Sequence, residues 1–234
     1  MIYTISDPHL SLSCDKPMDV FGRRWENYTC QLESNWKSTV TDDDTVIIPG
    51  DISWGMTLEE SASDFKWLDS LPGRKIIGKG NHDYWWETFS KLEKFKAEND
   101  ISTIDFLHNN AYLCENKIIC GTRGWICENS LKPEDLKILN RENQRLQMSL
   151  ECAKKLLEKK PDAEIIVFMH YPPAVTGTVQ EIIFDTLLSY GIQRLYYGHL
   201  HGISDNAGLC RTKYGIELNL VSCDYLKFIP LKID

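Results

Sequence analysis

Two short stretches of the sequence, Asp7-Pro8-His9 and His199-Leu200-His201, each set a pair of candidate metal ligands one residue apart. In extended backbone residues i and i+2 point to the same side, so each pair is expected to present its two side chains together. A third stretch, Gly80-Asn81-His82-Asp83, puts an amide, an imidazole and a carboxylate in consecutive positions after the apolar and basic run Arg74–Lys79. Asp51 in Pro49-Gly50-Asp51 and His170 before Tyr171-Pro172-Pro173 complete the set. Carboxylates, imidazoles and an amide oxygen are hard-to-borderline donors that suit Mn²⁺, Fe or Zn²⁺, and not the metals that seek thiolates.

Taken singly, each of these residues has an ordinary explanation. Asp7 before proline and Asp51 after glycine are common turn settings, Asn81 could cap a helix, and His170 could be a hydrogen-bonded core histidine. Packing does not account for all of them together, because five of the six histidines (His9, His82, His170, His199 and His201) fall at or beside the end of an apolar run. The sixth, His108, lies outside these blocks and receives no role.

The elements that must position them alternate between short apolar runs and longer amphipathic ones. Met1–Ser6, Thr45–Gly50, Arg74–Gly80, Glu164–His170 and Ile192–Gly198 read as buried strands. Helical character covers Trp25–Val40, Leu58–Leu71, Tyr84–Glu98, Pro133–Lys159 and Thr178–Tyr190. In the longest, Leu136, Leu139, Leu146, Leu150 and Leu157 recur at helical spacing, which predicts one buried stripe and a solvated charged face. Lys117–Trp125 and Gly208–Asp234 read as further strands, the latter turning near Tyr214–Gly215. The class is α/β, and in such sheets ligands sit beyond the carboxyl ends of the strands, where these polar residues fall.

Composition narrows the function further. The 234 residues are 42% hydrophobic and 26% charged, as in an ordinary globular protein, and no repeat or linker marks a boundary, so one domain over residues 1–234 is expected. The start lacks a signal-peptide pattern and no long apolar run occurs, which predicts a cytoplasmic protein without a membrane partner. Eight cysteines without a C-x-x-C pair read as structural thiols. A formal charge of −8 argues against a broad nucleic-acid footprint.

The blocks "DPH", "GD", "GNHD", "H" and "GHLH", in that order, resemble the calcineurin-like metallophosphoesterase superfamily. "GDISW" and "GNHDYWW" are similar to a bacterial branch of predicted phosphohydrolases within it. The resemblance implies a four-layer α/β/β/α sandwich with two mixed β-sheets. It implies that Asp7, His9 and His201 hold one metal and Asn81, His170 and His199 the other, with Asp51 bridging. The cofactors would be two divalent ions, Mn²⁺ first, with Fe or Zn²⁺ as alternatives. The reaction implied is hydrolysis of a small phosphomonoester or phosphodiester by a metal-bridging hydroxide. His82 would then donate a proton to the leaving oxygen or contact the phosphate, and Asp83 would support it. Gly80 would let the backbone turn tightly enough to present them.

Ser/Thr protein phosphatases carry G-D-x-x-D-R-G where this chain reads "GDISWGM", so a protein substrate is disfavoured and no protein partner is implied. The residue that orients His82 is left open. Arg123, in "GTRGW", is the candidate cationic contact to phosphate, with a surface ion pair as its equal alternative. Trp54, Tyr84, Trp85, Trp86, Trp125 and Tyr171 flank the blocks, more simply as packing than as a stacking platform. A nuclease or a nucleotide or lipid pyrophosphohydrolase using the same site, and a non-catalytic scaffold, are the competing readings.

Overall fold

The computed structural model describes residues 1–16, 18–203 and 209–234. Thirteen strands, five α-helices and two short 3-10 helices are assigned among them. One sheet holds β1 (Ile2–Thr4), β2 (Thr45–Ile48), β3 (Arg74–Ile77), β4 (Ile104–Phe106) and β13 (Leu231–Ile233), in the order β13-β1-β2-β3-β4. A second holds β5 (Ala111–Cys114), β6 (Lys117–Thr122), β7 (Glu164–Met169), β10 (Arg194–Tyr197), β11 (Thr212–Lys213) and β12 (Ile216–Leu220), in the order β11-β12-β10-β7-β6-β5. Strands β1 to β4 run parallel, as do β6, β7, β10 and β12, while β13, β5 and β11 pair antiparallel at the edges. Both sheets are therefore mixed.

Alternation along the strands explains the layering. Ile2, Ile47 and Ile76 on the first sheet share a core with Ile119, Ile166, Phe168 and Tyr196 on the second, so the two sheets face each other. The opposite faces of the same strands carry Tyr3, Val46, Ile48 and Ile77, which pack against α1 (Tyr28–Thr39), α2 (Leu58–Ser70) and α3 (Phe89–Glu98). On the other side, Ile118, Cys120, Val167, Met169 and Leu195 pack against α4 (Pro133–Lys159) and α5 (Glu181–Ser189). Helices, sheet, sheet and helices make the four-layer sandwich. A strand buried on both faces reads as a continuous apolar run, which is why these were visible in the sequence.

Several expectations are corrected. Helix α3 starts at Phe89 and not at Tyr84, because Tyr84 N and Trp86 N donate to His82 O and Asp83 O, closing a turn before Thr88 adopts extended backbone. Thr178–Val179 is β9, paired with β8 (Ala174–Val175), and α5 begins only at Glu181. Strands β4 and β5 carried no sequence signal strong enough to be read. On α4, Leu139, Leu146 and Leu150 are buried as expected but Leu136 is 45% exposed, and Glu142 is fully buried on the supposedly solvated charged face. Thr122 Oγ1 and Arg145 Nη1 donate to Glu142, at 2.8 and 2.7 Å, which makes that burial tolerable.

Candidate metal centre

The parallel register aligns strand ends, and the chain leaves them into one cluster. Asp7 follows β1, Asp51 follows β2, Asn81 follows β3, His170 follows β7, and His199 and His201 follow β10. Asp7, Asp51 and His170 are essentially without solvent exposure, and His9 is 2% exposed. The expected extended geometry of the two i, i+2 pairs is not what is found. Asp7, His9, Asp51 and His199 all have positive φ, at 58°, 45°, 52° and 70°. Non-glycine residues pay of order 1–3 kcal/mol for such conformations, which concentrate at functional sites. At the ends of β1, β2 and β10 the backbone turns left-handed to bring these side chains in, whereas Asn81 and His170 enter without a positive φ.

The convergence is close. His9 Nε2 lies 3.1 Å from His201 Nε2 and 3.6 Å from Asp51 Oδ2. Asp51 Oδ2 is also 3.5 Å from His170 Nε2, which places it between the two sides of the cluster. Asp7 Oδ1 lies 3.7 Å from both His170 Nδ1 and His201 Nε2. Asn81 Oδ1 is 2.7 Å from His170 Nε2 and 2.9 Å from His199 Nδ1. Two overlapping sets, Asp7/His9/His201 and Asp7/Asp51/His170, each bring their ligand atoms within 4.8 Å of one another.

Electrostatics favour a cation at the centre. Burial, then the neighbouring Asp7 and Asp83, push the Asp51 carboxyl well above the usual range, and burial also raises Asp7. Burial, then nearby imidazoles, hold His9 and His170 well below the ordinary histidine value, and bring His199 down to about 4. These rings are neutral at pH 7 and offer lone pairs. His9 Nδ1 and His170 Nδ1 are buried without a hydrogen-bond partner among the described residues. Crowded carboxylates beside neutral imidazoles fit a divalent metal site.

Two glycines make the approach sterically feasible. A Cβ on Gly80 would collide with the Asp51 carboxylate and backbone N, and one on Gly198 would collide with Asp7 Oδ2 and Ser6 Oγ. Gly80 is thus required for close approach rather than for a tight turn, since its φ is not among the positive ones.

Asp83 stands behind the cluster. It is fully buried and accepts hydrogen bonds from the backbone N of Gly80, Asp51 and Ile52 at 2.7–2.8 Å and from Trp85 Nε1 at 3.1 Å. Burial raises its pKa to about 6 against those bonds. It ties the Asp51 loop to the Asn81 loop, which is a positioning role. His82 sits at the mouth, its backbone N donating to Asp51 Oδ1 at 2.8 Å. Its ring lies 4.3 Å from the Trp54 ring, which itself stacks on His9 at 5.0 Å. Trp54 is therefore the nearest ring against His82, with His9 and Tyr84 at 5.6 and 6.3 Å. Arg123 is not brought to this cluster: its guanidinium lies 3.6 Å from Glu142 and lines a neighbouring cavity. Its backbone O accepts from His170 N and Tyr171 N at 3.2 and 2.9 Å.

One supporting residue escaped the sequence reading. Asp224 accepts from Gly202 N at 2.8 Å and pairs with His201 Nδ1 at 2.9 Å. Burial works against a charged His201, but Asp224 and then Asp7 outweigh it and raise its pKa. Asp224 follows the apolar run of β12, the same strand-end signal that marked the other ligands, but without a motif around it. Of the flanking aromatics, Trp85 is core and Tyr84 is 56% exposed.

A buried Asp/His/Asn cluster thus sits at the aligned strand ends of a four-layer sandwich, with a donor set that could hold metal. The chain belongs to the calcineurin-like phosphoesterase family, which it matches over residues 1–202. It is similar to the gene 66 protein of Mycobacterium phage L5, at 43% identity over 58 residues, a stretch that spans 25% of this chain and 28% of that protein. The chain thus covers little more than a quarter of that curated relative. Among solved structures it resembles the phosphopantetheinyl hydrolase of Mycobacterium tuberculosis, at 13% identity and a TM-score of 0.52, over 97% of this chain and 90% of that one. It also resembles a protein of unknown function from Aquifex aeolicus, at 18% identity and a TM-score of 0.49, over 99% and 94%. No helix among the described residues is long and apolar enough to cross a membrane.

Proposed function

We propose that this chain hydrolyses a small phosphomonoester or phosphodiester at a centre that takes two divalent ions, Mn²⁺ foremost, and that it acts in the cytoplasm. The observation that carries the reading is the pair of overlapping ligand sets, Asp7/His9/His201 and Asp7/Asp51/His170. Asp7, His9 and His201 would hold one ion and Asn81, His170 and His199 the other, with Asp51 between them. Divalent ions held there supply Lewis-acid neutralisation of phosphoryl charge and lower the pKa of water.

The remaining work falls to this chain's own groups. Asp83 and Asp224 fix the loops and the His201 ring, so the ligand set is organised before substrate arrives. His82 borders a 460 Å³ cavity with His9 and His201, which supports a role for its imidazole in handing a proton to the leaving oxygen. Burial, then Lys16 and His201, lower its pKa, and a bound phosphoryl group, being negative, opposes that depression. The same cavity is walled by Met18, Phe21, Trp25 and Trp54, which suits an ester whose leaving group carries apolar or aromatic surface. Long nucleic acid fits poorly with the net charge of −8.

The test is hydrolysis of p-nitrophenyl phosphate and bis-p-nitrophenyl phosphate by Mn²⁺-reconstituted protein, beside Asp51→Asn. Activity on either ester that falls at least about 10²-fold in the variant supports the reading, since the carboxylate between the two sides is gone. Full activity in Asp51→Asn refutes it, and a wild type that binds no metal favours the scaffold.

A further inference from the structure

A second cavity, of 320 Å³, opens between the two sheets and shares chain with the metal ligands. Pro49, Lys79 and Phe168 line it, and each lies two residues before Asp51, Asn81 and His170 respectively. Its volume falls within the range of small-molecule clefts, about 300–1,000 Å³. Nothing in the metal-centre reading uses it.

Its charge is unbalanced. The cations Lys79, Arg123 and Arg145 line it against the carboxylates Glu87 and Glu142. Glu87 is paired outside the cavity, with Lys91 at 3.1 Å. That leaves three cations against the one carboxylate of Glu142, an excess of two positive charges among the described residues. Of the three, Arg145 alone hydrogen-bonds Glu142, at 2.7 Å, while Arg123 stands off at 3.6 Å. Lys79 makes no ion pair with any described residue. Arg123 Nε and His108 Nδ1 are buried here without hydrogen-bond partners among the described residues. Burial, then Arg145 and Lys79, depress the His108 imidazole, with Glu142 opposing them. A half-buried cavity with surplus cations and an unpaired guanidinium N–H is stabilised by an anion with several acceptor oxygens.

We infer that this cavity, walled by Lys79, His108, Arg123 and Arg145, binds a phosphate group distinct from the one cleaved. Trp86 and Leu107 add apolar wall, so the phosphate can belong to an organic molecule. The group has two sources: a second phosphate on the ester held at the metals, which rests on the phosphoesterase reading, or free inorganic phosphate.

Inorganic phosphate is titrated calorimetrically into the Mn²⁺-loaded protein, its Lys79→Met variant and its Arg145→Lys variant, with bound manganese measured in each. Lys79 can be replaced without stranding Glu142, and Arg145→Lys keeps the charge while removing the guanidinium fork. A phosphate site that weakens about tenfold or more in Lys79→Met, at unchanged manganese content, supports the inference, that being the scale of a lost charge-assisted hydrogen bond. Isotherms that stay the same in both variants overturn it. Kinetics on a sugar bisphosphate and its monophosphate separate the sources. A KM raised selectively for the bisphosphate in Lys79→Met assigns the site to substrate. A wild-type rate that responds to added phosphate, with the response lost in the variant and the KM ratio constant, assigns it to the free ion. Failure of the phosphoesterase reading shows differently, as absent hydrolysis with phosphate binding intact.

Discussion

At the scale of single residues, His82 is the group whose position most constrains the chemistry. It borders the cavity at the metal centre yet is held there by packing on Trp54 and a backbone bond to Asp51, with no hydrogen bond to its Nδ1 among the described residues. Such a ring is removable without unpairing a buried partner. His82→Ala is therefore expected to keep its manganese and to slow alkyl phosphate esters by about 10²–10⁴, with much smaller losses on nitrophenyl esters, whose leaving groups need no proton. Rates measured on both classes check this, and equal losses would remove the proton-donor role. Sequence made His82 conspicuous through its neighbours Asn81 and Asp83. It gave no hint of Trp54 as the orienting contact, because that contact joins residues whose facing depends on two loops meeting.

At the scale of elements, the second sheet is tied at the opposite end from the site. Arg194 Nε and Nη2 donate to Glu164 at 2.7 and 2.6 Å, and Lys117 Nζ donates to it at 2.8 Å, joining β10, β7 and β6. The Arg194 bonds, then Lys117 against the cost of burial, hold the Glu164 carboxyl below its ordinary 4.5. A carboxyl with a folded-state pKa below its unfolded one stabilises the fold above the unfolded value, and that stabilisation is lost as pH falls through the depressed value. Glu164→Gln should melt below wild type at pH 7, with the gap narrowing as the pH drops below 4.5. Thermal melts across that window decide the matter, and a gap independent of pH would mean the pairing contributes nothing through charge.

At the scale of the whole molecule, the candidate metal centre is where the strand ends of both sheets meet. Asp7, Asp51 and Asn81 come from one sheet and His170, His199 and His201 from the other, so an ion bound there links the two halves of the sandwich. A ligand that binds only the folded state adds roughly 2.7 kcal/mol at a hundredfold excess over Kd. For a chain of this size that corresponds to a rise of roughly 5–10 °C in Tm. Differential scanning fluorimetry with Mn²⁺ against chelator should show it, and the rise should largely vanish in Asp51→Asn. A Tm indifferent to metal in the wild type would deny that the cluster holds ions.

The amino-acid sequence by itself determined the α/β class, because double-sided burial leaves unbroken apolar runs, and it brought the candidate ligands forward, because turns and packing do not jointly explain so many Asp, His and Asn residues at the ends of those runs. Helix α4 was legible to the residue, as Pro133 opens it and its leucine spacing persists throughout. The tertiary structure alone decided how the ligands meet. Asp7 and His9 converge through left-handed backbone, Gly80 and Gly198 serve proximity, and Asp224 reaches His201 from 23 residues away. It also decided that Arg123 faces Glu142 and not the cluster of candidate ligands. These are distances between segments far apart in the chain, fixed by sheet register and close packing, and local residue patterns carry no record of them.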